Sequence, residues 1–199
     1  MCGCVGVGRM KQLEYPFTAA KVRELRTGQA VSLSGRVFTG RDRLHRYLHD
    51  GGKCPVDLKD GAIYHCGPVM VYENGAWTVR AAGPTTSIRQ EQYMAKIIRQ
   101  HRVRIVIGKG GMGEATRKAC SQYGCVYLQA VGGAAALLAE AIESVDGVHF
   151  VKEFGAAEAL WVLKVRDLEA IVTMDSRGRS LHKKIAMASK RELKSLLGR

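Results

Sequence analysis

A single α/β domain built on a mixed sheet is the fold class this 199-residue chain predicts, from three observations. Its second half alternates short apolar runs with helix-like stretches, the rhythm of parallel strands joined by crossovers. Its first half shows period-two alternation and an Asn-Gly turn between apolar runs, the mark of β-structure. Three glycine-bearing loops that carry Arg or Lys sit where a strand or turn gives way to a helix or loop. In open α/β sheets such loops gather at the carboxyl ends of strands, where ligands bind. The length suits one domain, or one domain with a tail, and a sizeable core.

Taken in order, Thr18 is placed to cap a helix over 19–26, with Gly28 to stop it. The alternating run 30–38 is a strand leading into Thr39-Gly40-Arg41-Asp42, and a helix follows over 43–49, ended by Gly51-Gly52. A short strand fits 62–66. The runs 69–72 and 77–80 flank Glu73-Asn74-Gly75 and predict a hairpin. Then come a helix over 87–101, a strand over 104–107 and a helix over 114–123. Beyond them the pattern predicts a strand over 125–130, a helix over 134–143, a strand near 148–150, and strands over 160–165 and 170–175.

Hydrophobic residues make up 46% of the chain and charged residues 25%, an ordinary soluble composition. No apolar run approaches the ~20 residues of a membrane span, and the N-terminus lacks the apolar core of an export signal, so a cytoplasmic protein with no membrane partner is expected. Six cysteines (2, 4, 54, 66, 120 and 125) include no Cys-x-x-Cys pair and are expected to stay reduced. Cys66, Cys120 and Cys125 read as small core residues, Cys2 and Cys4 as part of a flexible start. The formal net charge is +13, and positions 177–199 hold eight Lys or Arg against one Glu. With Leu181, Ile185, Leu193, Leu196 and Leu197 interspersed, that segment predicts a basic amphipathic helix. It holds no aromatic residue, so nucleic acid is not the expected partner.

The chemistry concentrates between Gly83 and Gly113. Gly83-Pro84 signals a turn, and Thr85, Thr86 or Ser87 can cap the helix behind it. Arg89 falls in that helix's first turn, where a cation is disfavoured unless an anion meets it. About twenty residues on, an apolar run breaks into Gly108-Lys109-Gly110-Gly111. Two helix entrances, each with its own cation, suit a small dianion. Arg41 and Arg89 can each clamp a carboxylate with two parallel N–H bonds; Lys109 adds a compact charge, and Asp42 is placed to orient Arg41. Each motif alone has a plainer reading: a surface arginine, a solvated turn, a helix cap. The loop is no P-loop, since the spacing Gly-x-x-x-x-Gly-Lys-Ser/Thr is missing, and no Gly-x-Gly-x-x-Gly opens a helix.

In this order, and with Val131-Gly-Gly-Ala-Ala-Ala-Leu downstream, Thr39-Gly-Arg-Asp, Gly83-Pro-Thr-Thr-Ser-Ile-Arg and Ile107-Gly-Lys-Gly-Gly resemble a known family. It is the β subunit, or C-terminal domain, of the iron–sulfur class I fumarate hydratases and L-tartrate dehydratases, and the likeness spans residues 17–181. The resemblance implies a swivelling β/β/α domain over 17–176; residues 1–16, a flexible extension, and 177–199, a basic tail, lie outside what it explains. It implies a hydro-lyase that interconverts a 2-hydroxy dicarboxylate such as malate with fumarate. A [4Fe–4S] cluster would be held by cysteines of a partner α subunit, with no cofactor or metal ligand in this chain. The iron without a cysteine ligand would act as a Lewis acid. Carried over by motif, Arg41, Arg89, Lys109 and Gly110 would bind substrate carboxylates. Thr85, ahead of Thr86, would move the proton beside Arg89 and Lys109. An α2β2 assembly or a β–β dimer is expected. An L-tartrate dehydratase β subunit, a free-standing dicarboxylate-binding module and an RNA-binding protein are the alternatives.

Overall fold

The computed structural model describes residues 10–197; the expectations for Cys2 and Cys4 lie outside them. The elements are β1 (Lys11–Glu14), α1 (Ala19–Arg23), β2 (Ala30–Thr39), α2 (Asp42–His49), β3 (Ala62–Tyr64), β4 (Val69–Glu73) and β5 (Ala76–Ala81). A 3₁₀ turn, Ser87–Gln90, leads into α3 (Glu91–His101), followed by β6 (Ile105–Gly108), α4 (Glu114–Tyr123), β7 (Val126–Gln129) and α5 (Ala135–Glu140). The chain closes with β8 (Ile142–His149), α6 (Val151–Phe154), β9 (Leu160–Met174) and α7 (Leu181–Leu196).

The strands form one mixed sheet in the order β1-β2-β3-β6-β7-β9-β8, and β2 also pairs with β9. That extra pairing closes β2, β3, β6, β7 and β9 into a barrel. Neighbours from β1 to β7 run parallel, while β9 runs antiparallel to β2, β7 and β8. Strand alternation divides the core in two. Val37, Ala62, Tyr64, Ile105, Ile107, Val126, Leu128, Trp161 and Leu163 belong to one cluster. Their neighbours Phe38, Ile63, Val106, Tyr127 and Val162 pack with Leu44 and Leu48 of α2, Ile97 and Ile98 of α3, and Ala119 and Cys120 of α4. A period of two thus buries both faces of each strand, as parallel strands under helices require.

Local signals match where local chemistry decides. Thr18 accepts the Lys21 N–H at the start of α1. Asn74 and Gly75 both take positive φ, 53° and 79°, as a tight hairpin needs. Differences arise where distant strands intervene. The helix expected over 134–143 ends at Glu140, and Ile142–His149 becomes β8 because Ile142, Val145 and Val148 pack on the core beside β9. The two strands expected at 160–165 and 170–175 are one. Arg166 and Asp167 form a bulge opposite Ser34, Asp167 at φ 51°, so the polar break does not end the strand. Lys11–Glu14, within the expected extension, pairs with Val31–Ser34 and buries Leu13. Among the described residues, no helix is long and apolar enough to cross a membrane.

Candidate functional site

The candidate residues collect at the carboxyl ends of parallel strands β2, β3 and β6. As β2 ends, the Thr39 hydroxyl donates to the Ala159 carbonyl (3.2 Å) and accepts the Trp161 N–H (3.0 Å), so the turn starts from a tied point. Arg41 follows in extended conformation at the N-cap of α2. Its guanidinium lies against Gly67, where a Cβ would stand 2.7 Å from Nη1 and 2.6 Å from the Ala157 carbonyl oxygen. Only a bare backbone leaves Arg41 that place. Arg41 Nε is 3.5 Å from Glu158 Oε1, and Glu158 Oε2 accepts the Arg43 N–H at 2.9 Å.

The Gly83-Pro-Thr-Thr-Ser segment behaves as a short extra strand between the ends of β3 and β6. Pro84 bridges to Cys66, and Thr86 bridges in parallel to Lys109. The His65 carbonyl accepts both the Thr85 N–H (2.7 Å) and the Thr85 hydroxyl (3.0 Å). The Lys109 N–H donates to the Thr85 carbonyl at 3.3 Å, and the Ser87 N–H donates to the Lys109 carbonyl at 3.0 Å. Ser87 fits because residue 108 is glycine: a Cβ there would lie 1.9 Å from Ser87 Oγ. Gly110 and Gly111 then both take φ of 77°, turning the loop back below Lys109. Lys109 is half-buried and, unlike Arg41 and Arg89, has no carboxylate partner among the described residues. Downstream, Gly132 lies close to it, a Cβ there standing 3.7 Å from Lys109 Cδ.

Three expectations are corrected here. Asp42 does not orient Arg41: its carboxylate pairs with Arg89 and accepts Gln90 Nε2 at 2.7 Å, while Glu158 stands beside Arg41. Thr86, at the cap position of the 3₁₀ turn, makes no side-chain cap bond, so the Thr-Thr pair serves strand bridging and Thr85 bonds to His65 instead. The second helix entrance is already filled. Glu91 accepts the N–H groups of Gly113 (2.7 Å), Ala115 (2.9 Å) and Thr116 (3.1 Å), so the start of α4 holds a carboxylate of this chain.

Under these loops lies a polar layer that the sequence did not announce. His45 and His65 are buried, with ring centroids 4.9 Å apart. Burial pushes His45 down to about 4, against the pull of its bond to the Arg41 carbonyl and of Asp42. Burial, then neighbouring His45, holds His65 well below the usual imidazole range. Burial likewise pushes the Cys66 thiol up to about 12, although the Arg41 guanidinium pulls it down. Glu158, Glu91, His45 and His65 carry no motif, and their contacts with Arg41, Arg43, Gly113, Thr116 and each other are revealed only by burial or pairing. Among the described residues, no three His, Cys, Asp or Glu are grouped to hold a metal, and Cys66, Cys120 and Cys125 are buried. The described residues offer no grouped thiolates that fit an iron–sulfur cluster.

The chain is 50% identical over 186 residues to a putative fumarate hydratase class I of Geobacillus stearothermophilus, covering 93% of this chain and 36% of that longer protein. It is 38% identical to a putative L(+)-tartrate dehydratase subunit beta of Methanocaldococcus jannaschii, across 94% of this chain and the whole of the relative. It is 35% identical to the L(+)-tartrate dehydratase subunit beta of Escherichia coli K12, over 86% of each. Residues 8–185, which include every loop described above, match the family described as Fumarase C-terminus, and to that family the chain belongs.

Proposed function

We propose that this chain is the β subunit of a hydro-lyase that removes water from a 2-hydroxy dicarboxylate, malate giving fumarate, and runs the reverse addition. The observation that carries the reading is the cross-bonding of two motifs, Lys109 N–H to Thr85 and Ser87 N–H to Lys109, beside the Arg41 loop. Those bonds hold the Thr85 and Lys109 backbones side by side, which supports one site shared by the two residues. Arg41 and Arg89 each clamp a substrate carboxylate, Lys109 adds a compact positive charge, and Gly110 lets the carboxylate approach the backbone.

Dehydration removes a proton from the carbon beside one carboxylate and the hydroxyl from the other carbon. Negative charge builds on the carboxylate next to the first carbon, and Arg89 and Lys109 bind it more tightly as it grows. Thr85 carries the proton. Its own hydrogen is held by the His65 carbonyl, which leaves an oxygen lone pair to face the carbon. A threonine hydroxyl is a weak base near neutral pH, so it works with a carboxylate supplied by the partner. That partner is an α subunit whose cysteines carry a [4Fe–4S] cluster, and the barrel swivels against it as a unit. The relatives named as subunit beta, and the longer Geobacillus protein that contains this module, support a partner in trans or in cis.

Malate and fumarate are favoured over tartrate because the relative named fumarate hydratase is 50% identical and those named for tartrate are 38% and 35%. The test is reconstitution with the polypeptide encoded beside this one, followed by a panel of L-malate, fumarate and L-tartrate. Turnover that requires both chains and falls with Lys109→Ala is the expected result. A partner fully active without this chain overturns the reading.

A further inference from the structure

Four polar side chains are buried beneath the three site loops. His45, His65 and Ser87 are 1%, 0% and 0% exposed, and Tyr127 is likewise 0%. Ser87 Oγ lies 2.9 Å from His65 Nδ1 and 2.9 Å from the Tyr127 hydroxyl. The Ser87 N–H donates to the Lys109 carbonyl at 3.0 Å. The His65 and His45 rings meet edge to face, and His45 Nδ1 lies 2.7 Å from the Arg41 carbonyl oxygen.

Donor and acceptor counts give these contacts a direction. A carbonyl oxygen only accepts, so His45 carries its proton on Nδ1. Tyr127 gives its one hydrogen to Ser87. For Ser87 and His65 the count leaves two arrangements, and the network inferred below requires the one in which Ser87 donates to His65 Nδ1 and the His65 proton stays on Nε2. The chain therefore runs from Tyr127 through Ser87 and His65, across the ring contact to His45, and on to Arg41. Each site loop is attached to it. The Ser87 N–H holds the Lys109 carbonyl, the His65 carbonyl holds both the N–H and the hydroxyl of Thr85, and Arg41 accepts from His45. Each histidine Nε2 is buried with no hydrogen-bond partner among the described residues. A core needing only bulk at this place would use apolar side chains and avoid that cost.

We infer that Tyr127, Ser87, His65 and His45 form a positioning network that locks the Arg41, Thr85 and Lys109 loops into one mutual geometry. The inference rests on the hydro-lyase reading above. His45 and His65 are positioning residues, since they act through the Arg41 and Thr85 backbone rather than on substrate.

Two measurements test it. Nitrogen NMR of the full chain, labelled at histidine, reads the tautomers without any partner. The expected pattern is His45 protonated at Nδ1 and His65 at Nε2; the reverse at either ring overturns the network. Kinetics on the reconstituted pair with L-malate supply the second. Ser87→Ala and Tyr127→Phe remove a link with little change in volume, and each is expected to lower kcat about tenfold while the melting temperature moves little. His45→Leu is expected to raise KM about tenfold, and His45→Asn, which keeps a donor for Arg41, to restore most of that loss. Wild-type constants in Ser87→Ala and Tyr127→Phe, or equal losses in the two His45 variants, overturn the inference. A wild-type pair inactive on the whole substrate panel overturns the hydro-lyase reading instead, while the tautomers still report on the network.

Discussion

Arg89 is held by Asp42, from the first turn of a different helix, across 47 positions of sequence. The pair is partly solvated, with side-chain exposures of 56% and 33%, so it contributes little to stability, about 1 kcal/mol or less. Its effect is on direction. Asp42 occupies one edge of the guanidinium and leaves further N–H donors for a substrate carboxylate. Asp42→Ala is expected to raise KM for malate about tenfold with almost no change in melting temperature. Arg89→Ala is expected to cut kcat/KM by about 10²–10³, as losing a charge-stabilising donor does elsewhere. Steady-state kinetics and thermal melts of the two variants check this contrast.

Thr85 offers a sharper division between binding and rate. Its hydroxyl bonds to a carbonyl of its own chain, so Thr85→Val keeps the side-chain shape and removes the hydroxyl proposed to carry the proton. The expected result is a kcat about 10²-fold lower with KM within about threefold. A change confined to KM assigns Thr85 to binding.

Glu91 is the cap of α4, gathering three backbone N–H groups and the Thr116 hydroxyl (2.7 Å). Glu91→Ala leaves those donors without a partner and is expected to destabilise the fold by about 2 kcal/mol. Glu91→Gln, which keeps an acceptor but loses the charge, is expected to cost about half as much. Urea unfolding midpoints of the two variants measure it.

Acid should unfold this protein earlier than its carboxylates alone require. His45 is neutral in the fold, held at about 4, against 6.5 when unfolded. A folded value below the unfolded one means stability is complete above pH 6.5 and lost as pH falls towards 4, because only the unfolded chain takes up the proton. The loss from His45 amounts to about 3 kcal/mol, and His65, shifted the same way, adds to it. The charged group that acts on His45 is Asp42 at the start of α2, and His65 faces His45. Stability measured from pH 7 to pH 4 should fall less steeply in His45→Asn than in the wild type.

Gly108→Ala tests the seating of Ser87. The added methyl would stand 1.9 Å from Ser87 Oγ, so the hydroxyl must leave its place between His65 and Tyr127. A loss of about 1–3 kcal/mol of stability, with most of the turnover, is the expected outcome. Gly110→Ala, whose Cβ meets nothing nearer than 3.8 Å, separates this clash from backbone strain at positive φ.

By itself the sequence determined whatever neighbours along the chain can decide. Helix α4 spans Glu114–Tyr123 as its glycine boundaries predict, with Gly124 at φ 69°. The Asn74-Gly75 hairpin and the positions of Arg41, Thr85, Arg89 and Lys109 at element ends were legible for the same reason: turn chemistry and periodicity act over a few residues. The tertiary structure decided how the barrel closes, that Ile142–His149 is strand rather than helix, and which carboxylate meets which cation. It also decided that Glu91 fills the helix entrance the sequence offers to a ligand, and that His45 and His65 meet beneath the site. Each of these depends on side chains far apart in sequence sharing one buried, low-dielectric space. There, pairing and desolvation outweigh the local preferences that a pattern of residues can record.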